Sequence, residues 1–319
     1  MSLASAIETG DLTQLPSRRD EDWRWTDLRA LVRTLPQAAP VREESVVVPP
    51  GESRTAELHF NSLHAVAQVS RIAIEVGDGA RLVLIEHYSG TGDSLADIEL
   101  SISLGVKASL ERIVFTNDTD DGILVSRADV TIAPGAALSQ TVLASGGRRQ
   151  RIETQVIHPG AGATVRLDGL YLLDGKRHGD ITTVVTHGGV DGLTDQLAKS
   201  VVRDQARAVF QGRIVVSPGA DRTEARMAHH ALVLSDRAEV DAKPELEIYA
   251  DDVVCAHGNT VGALDDDAMF YARQRGIPED EARAMLTQAF VAEVVDRIEN
   301  EPARDAARTW VAARLGAAT

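Results

Sequence analysis

A thiol and an imidazole, both metal-binding donors, lie close together in one run of this chain. Asp251-Asp252-Val253-Val254-Cys255-Ala256-His257-Gly258 carries the sole cysteine two residues before a histidine. In an extended segment side chains alternate with period two, so Cys255 and His257 project from the same face. A thiolate beside an imidazole makes a partial site for iron or zinc. The same residues also have a plain structural reading, a small buried thiol followed by a turn histidine before glycine. Iron–sulfur clusters take about four thiolate or imidazole ligands, and a chain with one thiol cannot supply that set alone. If Cys255 or His257 touches a cluster, the remaining ligands come from another chain.

Other chemistries are excluded by missing residues. A P-loop needs G-x-x-x-x-G-K-[ST]. The nearest text, Gly169 to Arg177, has one residue too many between its glycines and an arginine where a hydroxyl belongs. No H-E-x-x-H, G-x-S-x-G or C-x-x-C occurs. Gly146-Gly147 and Gly188-Gly189 lie outside any strand–turn–helix fingerprint and read as turns. His229 and His230 are adjacent, so on a strand they face opposite ways, and they read as structural or exposed residues.

A formal net charge of −15 argues against nucleic acid as partner, because an acidic chain gains nothing from counterion release. The single cysteine suits a reducing compartment. Met1 to Gly10 lacks a basic region and a long apolar run, and no apolar stretch approaches the roughly 18–20 residues that span a bilayer. The expectation is a cytoplasmic protein without a membrane span. Aromatic residues make up 4% of the chain, so small and β-branched residues must fill much of its core.

Three regions must position Cys255 and His257. Residues 1–40 carry Leu12, Leu15, Trp23, Trp25, Leu28, Leu31 and Val32 at roughly helical spacing, closed by Pro36 and Pro40. Residues 41–262 consist of short alternating runs broken by Gly, Pro, Asp and Asn, such as Arg71 to Val76 and Gln211 to Val216, which read as strands. A small-residue turn before an apolar strand start recurs at Ala80, Ala108, Ala136, Ala163, Ala206 and Ala238, with steps of 28, 28, 27, 43 and 32 residues. Coils of two or three strands, stacked so that they share one core, produce such a repeat in a parallel β-solenoid; a β-sandwich with regular turns would read similarly. Residues 263–319 turn helical. Asp265 caps a helix to Arg275 that stops at Gly276, and Pro278 opens a second helix with an apolar stripe of Ala282, Met285, Leu286, Ala289, Phe290, Val294 and Ile298. Pro302 opens a third, with Ala306, Ala307, Trp310, Val311 and Leu315 on one side.

The run Pro244 to Gly262, continued from Leu264 to Ile277, resembles the SufB/SufD family of iron–sulfur cluster assembly proteins. Thr194 to Leu197, Val209 to Ile214, Asp221 to Ala225 and Leu15 to Thr26 are similar to family text as well. The likeness is dense from about residue 190 to 298, and the N-terminal region is reduced. The resemblance implies a right-handed parallel β-helix core with a short N-terminal helical segment and a C-terminal α-helical domain. It also implies a non-enzymatic scaffold that pairs with a SufB-like subunit through the β-helix and with the SufC ATPase through the C-terminal helices. The C-x-H-G text and the lack of further cysteines favour the SufD-like side of the family. By this resemblance His257, with Cys255 beside it, would meet a nascent iron–sulfur cluster at the subunit interface, with no cofactor held stably by the isolated chain. Asp265, Met269, Phe270, Tyr271, Arg275, Met285 and Phe290 would mark the region that receives the ATPase. A strand edge that pairs with a homologue can also pair with a second copy of itself, so a homodimer is a further expectation. The alternative from another class is a β-helix carbohydrate-active enzyme using clustered carboxylates or calcium.

Overall fold

The alternating runs form strands of similar length because each has one apolar face to bury and a turn at both ends. In the computed structural model, which describes residues 2–117 and 121–315, two short helices come first, α1 (Leu3–Thr9) and α2 (Leu28–Leu31). The strands follow as β1 (Gln37–Ala38), β2 (Arg42–Val48), β3 (Ser53–Ser62), β4 (Val66–Val76), β5 (Arg81–Gly90), β6 (Leu95–Leu104), β7 (Ser109–Asn117), β8 (Ile123–Ile132) and β9 (Ala137–Ala144). They continue as β10 (Arg149–His158), β11 (Thr164–Leu173), β12 (His178–His187), β13 (Leu193–Val202), β14 (Arg207–Val216), β15 (Thr223–Val233), β16 (Glu239–Ile248) and β17 (Val253–Gly262). Three helices close the chain, α3 (Asp266–Gln274), α4 (Glu279–Val295) and α5 (Glu301–Leu315).

Successive strands alternate between two sheets, and each pairs in parallel with the strand one coil further on. One sheet runs β4-β6-β8-β10-β12-β14-β16, with β1 and β2 both on β4; the other runs β3 through the odd-numbered strands to β17. The result is a parallel β-solenoid of about eight coils. The expected solenoid is therefore present, with two long strands to each coil.

The alanine repeat has a direct structural meaning. Ala80, Ala108, Ala136 and Ala163 each stand one residue before a strand of the eight-stranded sheet and are almost wholly buried at the corner. Register places Ser109 opposite Arg81, Ala137 opposite Ser109 and Thr164 opposite Ala137, offsets of 28, 28 and 27 residues. The step of 43 residues spans one and a half coils, because Ala206 and Ala238 mark the corner before the other sheet, at β14 and β16. The next corner on the first side is occupied by Gly192. A Cβ there would fall 2.4 Å from His187 Nδ1 and 2.8 Å from His158 Nε2, so the buried histidine pair displaces the alanine.

The solenoid interior is mainly aliphatic, with Leu, Ile and Val from both sheets forming one continuous core. A polar layer crosses it. Arg112 and Glu86, both fully buried, pair through Nε–H to Oε1 at 2.5 Å and Nη2–H to Oε2 at 2.8 Å, and Arg112 Nη1–H reaches Gln140 Oε1 at 2.7 Å. Tyr88 donates its hydroxyl hydrogen to Glu86 and lies 3.1 Å from Ser126 Oγ.

The N-terminal part packs on the outer face of the nine-stranded sheet, where Leu3, Ile7, Leu15 and Leu28 meet Ala67, Val69, Leu95, Ile123 and Val125. It is less helical than its spacing predicts. α1 precedes the periodic stretch, and α2 is a single turn. The reason is that the sheet takes up its backbone carbonyls. Asp22 O accepts from Arg151 Nη1–H at 2.7 Å, Trp25 O lies 3.0 Å from His178 Nε2, and the Arg151 guanidinium sits 4.5 Å over the Trp23 ring.

That docking predicts a pH response. Burial holds His178 down to about 4, against 6.5 for a free imidazole, with Arg149 acting in the same direction. The unfolded chain binds the proton first, so the stability from His178 is complete above about pH 6.5 and is lost as the pH falls towards 4. The span corresponds to about 3 kcal/mol. Asp97 and Asp168, which burial pushes up to about 7, act in the opposite sense over much of the range. The measurement is therefore the difference between the native chain and His178→Gln, followed by Trp23 and Trp25 fluorescence during denaturation. The variant should lose less stability on acidification; equal losses would contradict this account.

The C-terminal helices fold back over the outer face of the other sheet. Val83, Ile85, Ile113, Phe115, Leu143, Leu170, Leu172, Leu197 and Val201 there meet Ala282, Val291, Val294, Val295, Ile298, Ala303, Ala307, Trp310 and Val311. Asp265 caps α3 through the amides of Asp267 and Ala268, and Gly276 stops it with φ 84°, as the sequence predicts. The packed faces are rotated from the expected stripes. Met285 and Ala289 of α4 and Ala306 of α5 are exposed, while Thr287, Val291 and Val295 face inwards. These helices carry alanines on every side, so apolar spacing alone leaves the packed face undetermined. Among the described residues no helix is long and apolar enough to cross a membrane.

Candidate functional site

Cys255 and His257 lie on β17, the last strand of its sheet. β17 pairs with β15 on one side, and β16, the last strand of the other sheet, pairs with β14. The last coil thus presents two strand edges with no further strand among the described residues, and such edges are templates for pairing with another chain. Pro244 lies within β16, where an edge tolerates the missing N–H.

Register fixes the direction of the two donors. Cys255 stands opposite Ala225 and His257 opposite Met227, and both partners are buried in the solenoid core. Cys255 and His257 therefore belong to the row that faces inwards in every earlier coil, together with Val253, Asn259 and Val261. Here no coil follows. His257 is exposed, Cys255 is half-buried and Val261 is 51% exposed, although each holds a core position. The opposite end of the solenoid is sealed: Ala56, Leu58 and Phe60 of β3 are buried, with the Arg42 guanidinium 5.0 Å over the Phe60 ring.

Burial pushes the Cys255 thiol up, against a smaller opposing effect from the Ala225 backbone. It is protonated at neutral pH in the isolated chain, and metal binding there would release that proton.

The row below is packed and hydrogen-bonded. His229 stacks on Phe210 at 5.0 Å, and its Nδ1 lies 2.8 Å from Asn259 Oδ1. Burial holds His229 down to about 4, so it is neutral at pH 7 and its Nδ1–H donates to the amide oxygen. His230 points outwards to Thr260 Oγ1 at 2.7 Å. The adjacent histidines thus diverge as the sequence predicts. What the sequence does not reveal is that His229 ties the strand bearing His257 to the coil beneath. Gly212 is a second such support: a Cβ there would lie 2.1 Å from Met227 Sδ, the residue that backs His257.

The residues expected to receive an ATPase separate into two groups. Met269 is buried in the apolar cluster formed by the C-terminal helices and the sheet, and Phe290 is half-buried, with Lys199 Nζ 4.3 Å from its ring centroid. Phe270, Tyr271 and Met285 are 64%, 60% and 51% exposed. Asp265 and Arg275 are exposed too, Asp265 as the α3 cap and Arg275 donating to Tyr271 Oη at 2.8 Å.

The fold and the end coil define the class as a parallel β-solenoid with an uncapped last coil and a helical domain on one face. A family model for the SUF system FeS cluster assembly SufBD core domain matches residues 59–290, so the chain belongs to that family. It is 32% identical to iron-sulfur cluster assembly protein SufD of Escherichia coli K12 over 76% of this chain and 57% of that protein. It is 31% identical to SufD of Bacillus subtilis over 78% of this chain and 58% of that one. A SufBD family protein of Synechocystis is 27% identical over 93% of this chain and 70% of the relative. Within the family the likeness is to SufD in particular. The chain spans a little over half the length of the two SufD relatives.

Proposed function

We propose that this chain is a non-catalytic scaffold subunit for iron–sulfur cluster assembly in the cytoplasm. In this reading its open end coil pairs with a SufB-like subunit, and the exposed face of α3 and α4 receives the SufC ATPase. The observation that carries the reading is the placement of Cys255 and His257 in a core-facing row that the last coil leaves uncovered. A second solenoid docked edge to edge would bury this row and bring its own donors to the same place. Among the described residues neither Cys255 nor His257 joins a three-ligand cluster within this chain, which suits a cluster whose ligands are shared between subunits. Family membership favours this reading over a carbohydrate-active enzyme.

Co-expression with a SufB-like chain and SufC tests both surfaces. Tyr271→Asp and Met285→Asp should abolish ATPase co-purification while retaining the SufB-like partner, with stability changed by less than about 0.5 kcal/mol, as is usual for exposed positions. Retention of the ATPase in both variants would overturn the docking assignment. Light scattering on the chain alone reports whether the open end also pairs with a second copy.

A further inference from the structure

A second group of metal-binding donors lies at the other end of the same sheet. Glu57 and His59 occupy alternate positions of β3 and share its outer face, and His87 of β5 stands directly opposite His59. We propose that Glu57, His59 and His87 form a binding site for a divalent first-row transition ion such as zinc or iron(II), with open coordination positions. One ligand atom from each residue lies within 4.8 Å of the other two, and His59 Nε2 is 3.6 Å from Glu57 Oε2. Metal–donor bonds of about 2.0–2.2 Å require donors slightly closer than that, and the side chains of Glu57 and His59, 56% and 57% exposed, are free to close the gap.

The donor types select the ion. Two imidazoles and one carboxylate suit zinc, cobalt or iron(II), and three protein ligands leave positions for water or an exchanging ligand. Calcium and magnesium take mainly oxygen donors and are disfavoured. His87 is held for the purpose. Its ring stacks on Phe115 at 5.3 Å with an interplanar angle of 9°, and Phe115 is itself buried beneath the C-terminal helices. The Phe115 contact fixes the His87 ring before an ion arrives. His59 lies nearly parallel on its other side at 4.8 Å and, being exposed, must turn off that stack to bring its in-plane lone pair to the same ion.

This site is separate from Cys255 and His257, because β3 and β17 are the opposite ends of the eight-stranded sheet. It stands or falls independently of the scaffold reading. The test uses the full chain carrying Cys255→Ser and His257→Ala, so that the donors of β17 are removed, titrated with Co²⁺ by visible absorption and with Zn²⁺ by calorimetry. About one equivalent should bind with a ligand-field spectrum of four or five coordination. His87→Ala and Glu57→Gln should each weaken binding by more than about ten-fold, with an unchanged far-ultraviolet dichroism spectrum. Glu57 is exposed, so Glu57→Gln keeps the test valid if His87→Ala disturbs the stack. No binding in the starting chain, or affinity unchanged from the starting chain in Glu57→Gln and in a His59→Ala/His87→Ala chain, would overturn the proposal.

Discussion

Arg112→Ala is expected to destabilise the protein by about 3–5 kcal/mol, the range for removing one partner of a buried ion pair. Arg112 and Glu86 are inaccessible to solvent inside the solenoid, and the guanidinium makes two hydrogen bonds to the carboxylate and a third to Gln140. Truncation would leave the Glu86 charge among Leu84, Leu110 and other interior residues, with the Tyr88 hydroxyl as its remaining donor among those named. The desolvation cost then stands without its compensation. Replacing both residues with leucine removes the orphaned charge as well, so the double variant should be more stable than Arg112→Leu or Glu86→Leu alone. Urea denaturation of the four chains gives the cycle. A double variant as unstable as the sum of the singles would show that the pair acts independently and contradict this account.

Glu111→Ala should release the C-terminal helices at a cost of roughly 2–3 kcal/mol, the scale of hydrogen bonds to a charged group. Glu111 is the neighbour of Arg112 but points the other way, out of the solenoid. Its Oε1 accepts the Glu299 and Asn300 amides at 2.6 and 3.0 Å, and Oε2 accepts Asn300 at 3.1 Å, just before α5 begins. The carboxylate therefore satisfies donors at a helix start, where the helix dipole also favours a negative charge. Trp310 Nε1–H, bonded to Thr116 O at 3.1 Å, continues the attachment along α5. Hydrogen exchange should show faster opening in α4 and α5 with the coils unchanged. Uniform loss of protection across the solenoid would show that Glu111 supports the whole fold instead.

These neighbouring charges show where the sequence stops being legible. Nothing in Leu110-Glu111-Arg112-Ile113 as sequence tells that Arg112 is interior and that Glu111 lies beneath a helix. Local alternation does not report that both faces are covered. The coils were legible because tight corners need small residues and recur with each coil; the pattern broke where Gly192 makes room for His158 and His187. The shared row of Cys255 and His257 followed from the period of a strand. That the row lies open followed only from the fold, since nothing local marks the last coil as last except Pro244 on an edge. In the helices the caps at Asp265 and Gly276 were readable from backbone chemistry, while the buried face of α4 was set by the sheet it meets.

In the proposed function the uncovered donors of β17 contribute to a cluster shared with another subunit. That contribution is tested most directly by co-expressing the chain with SufC and a SufB-like partner and measuring iron and acid-labile sulfide in the purified complex, native and His257→Ala. The account predicts an intact complex, because His257 is exposed in the single chain, with cluster content lost in the variant. Unchanged cluster content in an intact His257→Ala complex would contradict it.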